Sequence, residues 1–279
     1  MNKTLCKWLI AAGSIALAAA LILVLLPYGL RAMGLHPQYK GKKIQAPGHR
    51  ALIITTSHDM LGEGGKPTGV YLSEMTIPYN VFRDAGMEVE IASVNGGKIP
   101  IEPMSARYPL MTFDDKQALK DTAFQEMIGN SMPISEVDVA SYDLVYIAGG
   151  WGAAYDLAQS TVLGEKVTQA RQEGAILGSV CHGALGFLGA KEVDGRPLVQ
   201  GKAMTAVTDK QVQELGITQT PLHPEAELRN AGAVYEANST FRDIFATKMV
   251  FDDGIVTGQN QNSSAEVAHW MVELVLRGW

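Results

Sequence analysis

Cysteine is scarce in this 279-residue chain: two occur, Cys6 and Cys181, and one of them lies in the N-terminal segment. A disulfide-stapled fold is thereby excluded, while neither a reducing nor an oxidising compartment is. Basic surplus is also absent, since the net charge is −6. No spacing of a nucleic-acid-binding module occurs, so nucleic acid is not an expected partner. The Gly-rich stretch Ser57–Gly69 lacks the G-x-x-x-x-G-K-[ST] spacing of a phosphate loop. His58, His223 and His269 are far apart and without metal-ligand spacing, so no metal site and no cofactor is expected. There is no internal repeat, and the length suffices for an ample core.

One long apolar run is present. Leu9 to Leu26 is eighteen residues without a charge, about 27 Å as a helix against a hydrocarbon core of ~30 Å. Lys3 and Lys7 precede it, and Trp8 stands where an interfacial aromatic would. Ala18-Ala19-Ala20 offers a signal-peptidase site, but cleavage there would leave the apolar Leu21–Leu26 as a new terminus. The expectation is an uncleaved single-pass membrane anchor over residues 1–30 and a tether over 31–50, rich in Gly, Pro and Lys. The domain over 51–279 would lie on the extracytoplasmic side.

From Ala51 the pattern is strand alternating with helix. Apolar runs at Ala51–Thr56, Glu88–Val94, Leu144–Ala148 and Ile176–Val180 read as buried strands. Helical spacing covers Val70–Ala85, with Pro78 a kink, and Val162–Glu173. Shorter strands are expected at Ala203–Val207 and Ala233–Glu236, with helices at Asp209–Leu215 and Glu225–Asn230. Lys248–Thr257 reads as a hairpin turning on Asp253-Gly254. The last helix is expected to start at a capping box, Ser263-x-x-Glu266, and run to about Arg277. Asn95–Val139 breaks the alternation with four prolines around one amphipathic candidate, Asp115–Met127, and reads as an inserted lid. The fold class is α/β: a doubly wound, mostly parallel, flavodoxin-like sheet with helices on both faces.

Ala175–Phe187 is the stretch the chain is organised around. A buried strand ends in Cys181 and a small-residue segment of helical spacing follows, the layout of a nucleophile elbow. A thiol held at a helix N-terminus is expected to ionise below the ~8.5 of a free cysteine. The same residues also suit a small buried hydrophobe.

Several separated motifs in order resemble the ThiJ/PfpI superfamily and its class I glutamine-amidotransferase-like fold. They are Ala148-Gly-Gly-Trp-Gly152, Val180-Cys-His-Gly183 and Gly195-Arg-Pro-Leu-Val-Gln-Gly-Lys202. Lys66-Pro-Thr-Gly-Val-Tyr-Leu-Ser-Glu74, Pro78-Tyr-Asn-Val-Phe82 and Val256-Thr-Gly258 extend the likeness to the heat-shock-protein-thirty-one type, the glyoxalase III branch. The resemblance implies Cys181 as nucleophile, His182 as its partner and Glu74 as a buried carboxyl beside the thiol. Gly150 and His182 would supply oxyanion-hole N–H groups. It further implies a homodimer and a small aldehyde substrate, converted without glutathione. A holdase chaperone and an amidotransferase-like or hydrolytic activity on an amide are the alternative functions. Two departures stand out: Trp151 occupies a position usually held by His, and Val212 the position of the third, acidic triad member. Glu214 or Asp209 is the candidate replacement for that acid.

Overall fold

Parallel strands buried on both faces need continuous apolar runs, and the runs named above form the centre of a seven-stranded sheet. A computed structural model describes residues 3–279; the side chains of Lys3, Leu5 and Cys6, two of them singled out in the sequence, lie outside the described residues. The chain opens with helix α1 (Lys3–Ala32), then strand β1 (Arg50–Thr55), α2 (Leu72–Asp84) and β2 (Glu88–Ser93). The insertion follows with α3 (Phe113–Ala118), α4 (Thr122–Gly129) and a two-residue β3 (Met132–Pro133). Next come β4 (Leu144–Ile147), α5 (Ala153–Asp156), α6 (Thr161–Gln172) and β5 (Ile176–Val180). The C-terminal part holds β6 (Ala203–Met204), α7 (Asp209–Glu214), α8 (Pro224–Asn230), β7 (Val234–Tyr235), the hairpin β8 (Met249–Asp252) and β9 (Ile255–Gly258), and α9 (Ser264–Arg277).

Strand order is β3-β2-β1-β4-β5-β9-β8, all parallel except β8, which pairs antiparallel with β9. Alternation within the strands separates two cores. Ala51, Ile53, Leu144, Tyr146 and Ile176 pack with α2 and α9 on one face. Leu52, Ile54, Val145, Ile147 and Leu177 pack with α5 and α6 on the other. The chain winds outward from β1 in one direction and returns to β4 in the other, so β1 and β4 flank the topological switch point. Ligands of doubly wound sheets bind at the carboxyl ends of the strands there.

Several expectations are corrected. Helix α1 passes through Pro27 and runs to Ala32, two residues beyond the expected end of the anchor. The carbonyl of Leu23, which Pro27 cannot serve with an N–H, accepts the Tyr108 hydroxyl instead. The following segment is no free tether: Leu35, His36 and Ala46 are buried, the His36 N–H donates to Asn262 Oδ1 at 2.8 Å, and Tyr39 stacks on His269 at 3.9 Å. The single helix expected at Asp115–Met127 is two. Thr112 and Asp115 form a reciprocal capping box for α3, and Asp121 caps α4 by accepting the Ala123 N–H. The insertion is a lid only in that Met104 reaches the cavity described below. Otherwise α3 packs on α2, held by a bond from the Thr76 hydroxyl to the Asp115 carboxylate, and β3 extends the sheet edge.

The capping box at Ser263 does not form. Ser263 already has helical backbone angles, and its hydroxyl donates to the Lys248 carbonyl at 2.9 Å. Strands β6 and β7 pair with each other in a separate two-stranded sheet. The helix expected over Val70–Ala85 is α2, with Pro78 inside it as expected.

Candidate active site

Four segments deliver the site to the carboxyl edge of the sheet at the switch point. Strand β5 ends at Val180 in extended geometry, and Cys181 then takes φ 57°, the left-handed region that side chains other than glycine rarely occupy. The expected helix after it is a 3-10 helix, Cys181–Phe187. Its glycines allow that tight path: a Cβ on Gly183 would come within 2.2 Å of the Ile147 carbonyl oxygen. The turn after β4 approaches as closely, for a Cβ on Gly149 would stand 2.6 Å from Glu74 Oε2 and 2.7 Å from the His182 nitrogen. No side chain fits between the Glu74 carboxyl and the elbow.

Glu74 lies in the first turn of α2 and is fully buried, with neither carboxyl oxygen in a strict hydrogen bond. Burial pushes it up to about 8, against the opposing pull of the Cys181 thiol and the Gly149 backbone N–H. Burial, and then the like charge of an ionised Glu74, push the Cys181 thiol well above its ordinary range. The expected depression of the thiol is therefore overturned. The backbone N–H groups of His182 and Gly150 do favour the thiolate, but in a closed pocket they do not outweigh desolvation. Thiol and carboxyl form a coupled pair that holds one proton more readily than none.

His182 is fully buried, with Nδ1 3.4 Å from Cys181 Sγ and no hydrogen-bond partner for Nε2. Burial, reinforced by the nearby His223, lowers its pKa to about 3, so the imidazole is neutral and no thiolate–imidazolium pair forms at neutral pH. The candidate third acids lie elsewhere. Asp209 Oδ1 is 3.2 Å from His223 Nδ1. Glu214 accepts the Asp243 N–H at 2.8 Å and faces Lys210 and Arg242. Val212 is buried in the apolar core.

A small cavity of about 20 Å³, the room of one water, joins Cys181, Glu74 and His182 to Tyr71, Met104, Trp151, Val207, Leu215 and Ile244. Tyr71 was not foreseen from the sequence. Its hydroxyl is buried without a partner, and Glu74 and Cys181 are among the groups that raise its pKa. The available signal was spacing: Tyr71 precedes Glu74 by three residues at a helix start, which sets both on one face. Among the described residues, no group of three or more His, Cys, Asp or Glu side chains could hold a metal ion.

A mostly parallel sheet with a strained Cys elbow at its carboxyl edge defines a flavodoxin-like α/β protein with a candidate cysteine nucleophile. Residues 67–274 match the DJ-1/PfpI family, and the chain belongs to it. It is 30% identical over 232 residues to the glutathione-independent glyoxalase hsp3102 of Schizosaccharomyces pombe, covering 80% of this chain and 96% of that one. It is 28% identical to glyoxalase 3 of Candida albicans, covering 78% of this chain and 94% of that one. The crystal structure of glyoxalase III from Candida albicans superimposes with a TM-score of 0.73 at 27% identity, covering 83% of this chain and 97% of that one. Rapid Encystment Protein 24 KDa of Francisella tularensis gives a TM-score of 0.75 at 28% identity, covering 81% and 99%.

Proposed function

We propose that this chain is a glutathione-independent glyoxalase that converts methylglyoxal and related small 2-oxoaldehydes to 2-hydroxy acids through Cys181. The observation that carries this reading is the pairing of Cys181, on its left-handed elbow, with a fully buried Glu74 in one water-sized cavity. The glyoxalase names of the relatives support it.

With the pair holding one proton, which sits on sulfur because the thiol is pushed higher than the carboxyl, the Glu74 carboxylate takes that proton as the Cys181 sulfur attacks the aldehyde carbon. The C–S bond forms, and the carbonyl π pair moves to oxygen, where the Gly150 and His182 N–H groups receive it. Protonation of that oxygen gives a hemithioacetal and leaves Glu74 as a carboxylate. The carboxylate then removes the C1 proton and the electrons pass to the neighbouring ketone oxygen; Glu74 returns that proton to C2, and the hemithioacetal hydroxyl proton moves to the C2 oxygen, leaving a carbonyl at C1. C1 is thereby oxidised to a thioester as C2 is reduced to an alcohol, so no external oxidant or reductant enters. Water hydrolyses the thioester, releasing the hydroxy acid and the thiol. The free Tyr71 hydroxyl supplies a hydrogen bond to the ketone oxygen. Met104, unbranched and 36% exposed, is the wall that yields to admit substrate.

Helix α1 contains 26 residues, Lys7–Ala32, long and apolar enough to cross a membrane. Its reading as an uncleaved anchor with the domain outside rests on that length and on the flanking lysines.

Purified full-length protein in detergent, given methylglyoxal without glutathione, is expected to form lactate, and Cys181→Ser to form none. Lactate formation undiminished in Cys181→Ser would remove this reading, and ammonia release from amides in its place would support the hydrolytic alternative.

A further inference from the structure

A cavity of about 480 Å³ lies where the foot of α1 meets the domain, well within the range of small-molecule sites. It is separate from the cysteine cavity, although Gln261 lines both. One buried side chain lining it lacks hydrogen-bond partners, and two charged side chains on its accessible rim are unpaired. His36 is nine-tenths buried, yet neither ring nitrogen has a hydrogen-bond partner. Burial and the Arg31 charge lower its pKa to about 4, so it is a neutral ring with one donor and one acceptor left over. Arg31, in the last turn of α1, makes no ion pair or side-chain hydrogen bond among the described residues. Asp114, in the first turn of α3, likewise has a free carboxylate; only its backbone carbonyl is engaged, by Asn80 Nδ2 at 3.1 Å. Elsewhere on the rim, Lys43 and Asp84 already face each other at 3.8 Å.

An anion alone would satisfy Arg31 and His36 but would face the Asp114 carboxylate. A cation alone would leave the guanidinium and the buried ring unmet. A ligand carrying both charges a few bonds apart meets all three: a phosphate for the guanidinium and the His36 N–H, and a primary ammonium for Asp114.

We propose that this cavity binds a phosphoethanolamine group, with Arg31 and His36 on the phosphate and Asp114 on the ammonium. The group has two sources, a soluble phosphoamine and a phospholipid headgroup. The second is at hand because Arg31 terminates a helix long enough to span a bilayer. The proposal is independent of the glyoxalase reading.

The test is calorimetric titration of the full chain in a neutral detergent with phosphoethanolamine, inorganic phosphate and ethanolamine. Phosphoethanolamine is expected to bind most tightly. Arg31→Gln and Asp114→Asn, both at accessible positions without partners, are each expected to weaken it about tenfold or more, the usual scale for losing one charge-assisted contact. Inorganic phosphate should respond to Arg31→Gln alone and ethanolamine to Asp114→Asn alone. Phosphoethanolamine binding no tighter than phosphate, or binding unchanged in both variants, overturns the proposal. Repeating the titration in nanodiscs of phosphatidylethanolamine and of phosphatidylcholine separates the sources. Competition confined to the phosphatidylethanolamine discs marks the lipid headgroup, and equal binding in both marks the soluble ligand.

Discussion

The Trp151 indole stands edge-on to the His182 imidazole, with ring centroids 4.8 Å apart and planes at 62°. With Nε2 unpartnered, this aromatic contact and the Cys181 sulfur are what orient the ring. A hydrogen-bonded acid would fix both orientation and tautomer; here packing fixes the orientation.

Glu214→Gln and Asp209→Asn should therefore leave turnover within about twofold of the parent, because their carboxylates engage Asp243, Lys210, Arg242 and His223 rather than His182. Steady-state kinetics with methylglyoxal measure this. A hundredfold loss in either variant would restore a three-membered triad.

Glu74→Gln should separate thiol ionisation from catalysis. The Glu74 carboxylate is a like charge that pushes the thiol up, so its removal should move the pH midpoint of iodoacetamide labelling downward. Turnover should nevertheless fall by about 10²–10⁴, the range of a lost proton-transfer group. An upward-moving midpoint would contradict the arrangement of the pair.

Opposite pH trends in stability follow from the buried groups. His36, His182 and His269 have folded-state values of about 4, 3 and 4, below the ordinary 6.5. Below pH 6.5 the unfolded chain binds protons that the folded one refuses, so stability should fall as pH drops from 6.5 toward 4. Glu74, raised from 4.5 to about 8, keeps its proton in the folded state after the unfolded chain has lost it. Its contribution should thus decline as pH rises from 4.5 to 8, and Glu74→Gln should gain stability on the parent over that interval, by on the order of 3 kcal/mol at pH 7, with a correspondingly higher melting temperature. Thermal melts across pH 4–8 test both trends, and a parallel pair of curves would refute the second.

In fractionation, the full chain should stay with membranes through carbonate washing, as expected of a 26-residue apolar helix. Release of a soluble form beginning near Leu21 would instead identify a cleaved signal peptide.

Most of the frame was legible because it rests on periodicity. The runs at Ala51 and Ile176 became β1 and β5 within a residue, and Asp253-Gly254 turns the hairpin with φ of 46° and 75°, the conformation its residues favour. Caps were less legible, since Ser263 and Thr112 each head an S/T-x-x-acid pattern and only tertiary context decides which forms. At Ser263 the Lys248 carbonyl competes successfully for the hydroxyl. The elbow was legible as a layout, whereas the upward push on its thiol was not, because desolvation depends on how completely Trp151, Val207 and Ile244 close over it. Tyr71 was overlooked for a similar reason: a tyrosine at a helix start signals nothing until its hydroxyl is found without a partner.

The left-handed backbone at Cys181 has a consequence for robustness. A residue with a Cβ held there costs of order 1–2 kcal/mol relative to relaxed geometry, so the fold is less stable at this position than a protein free of the reaction would be. Comparing two thiol-free variants isolates that cost: Cys181→Gly should melt higher than Cys181→Ala, contrary to the usual ranking in ordered elements. The nucleophile and the stability optimum thus occupy the same residue and favour different side chains. Under selection for thermal stability alone, position 181 is where this chain would be expected to trade away its chemistry first.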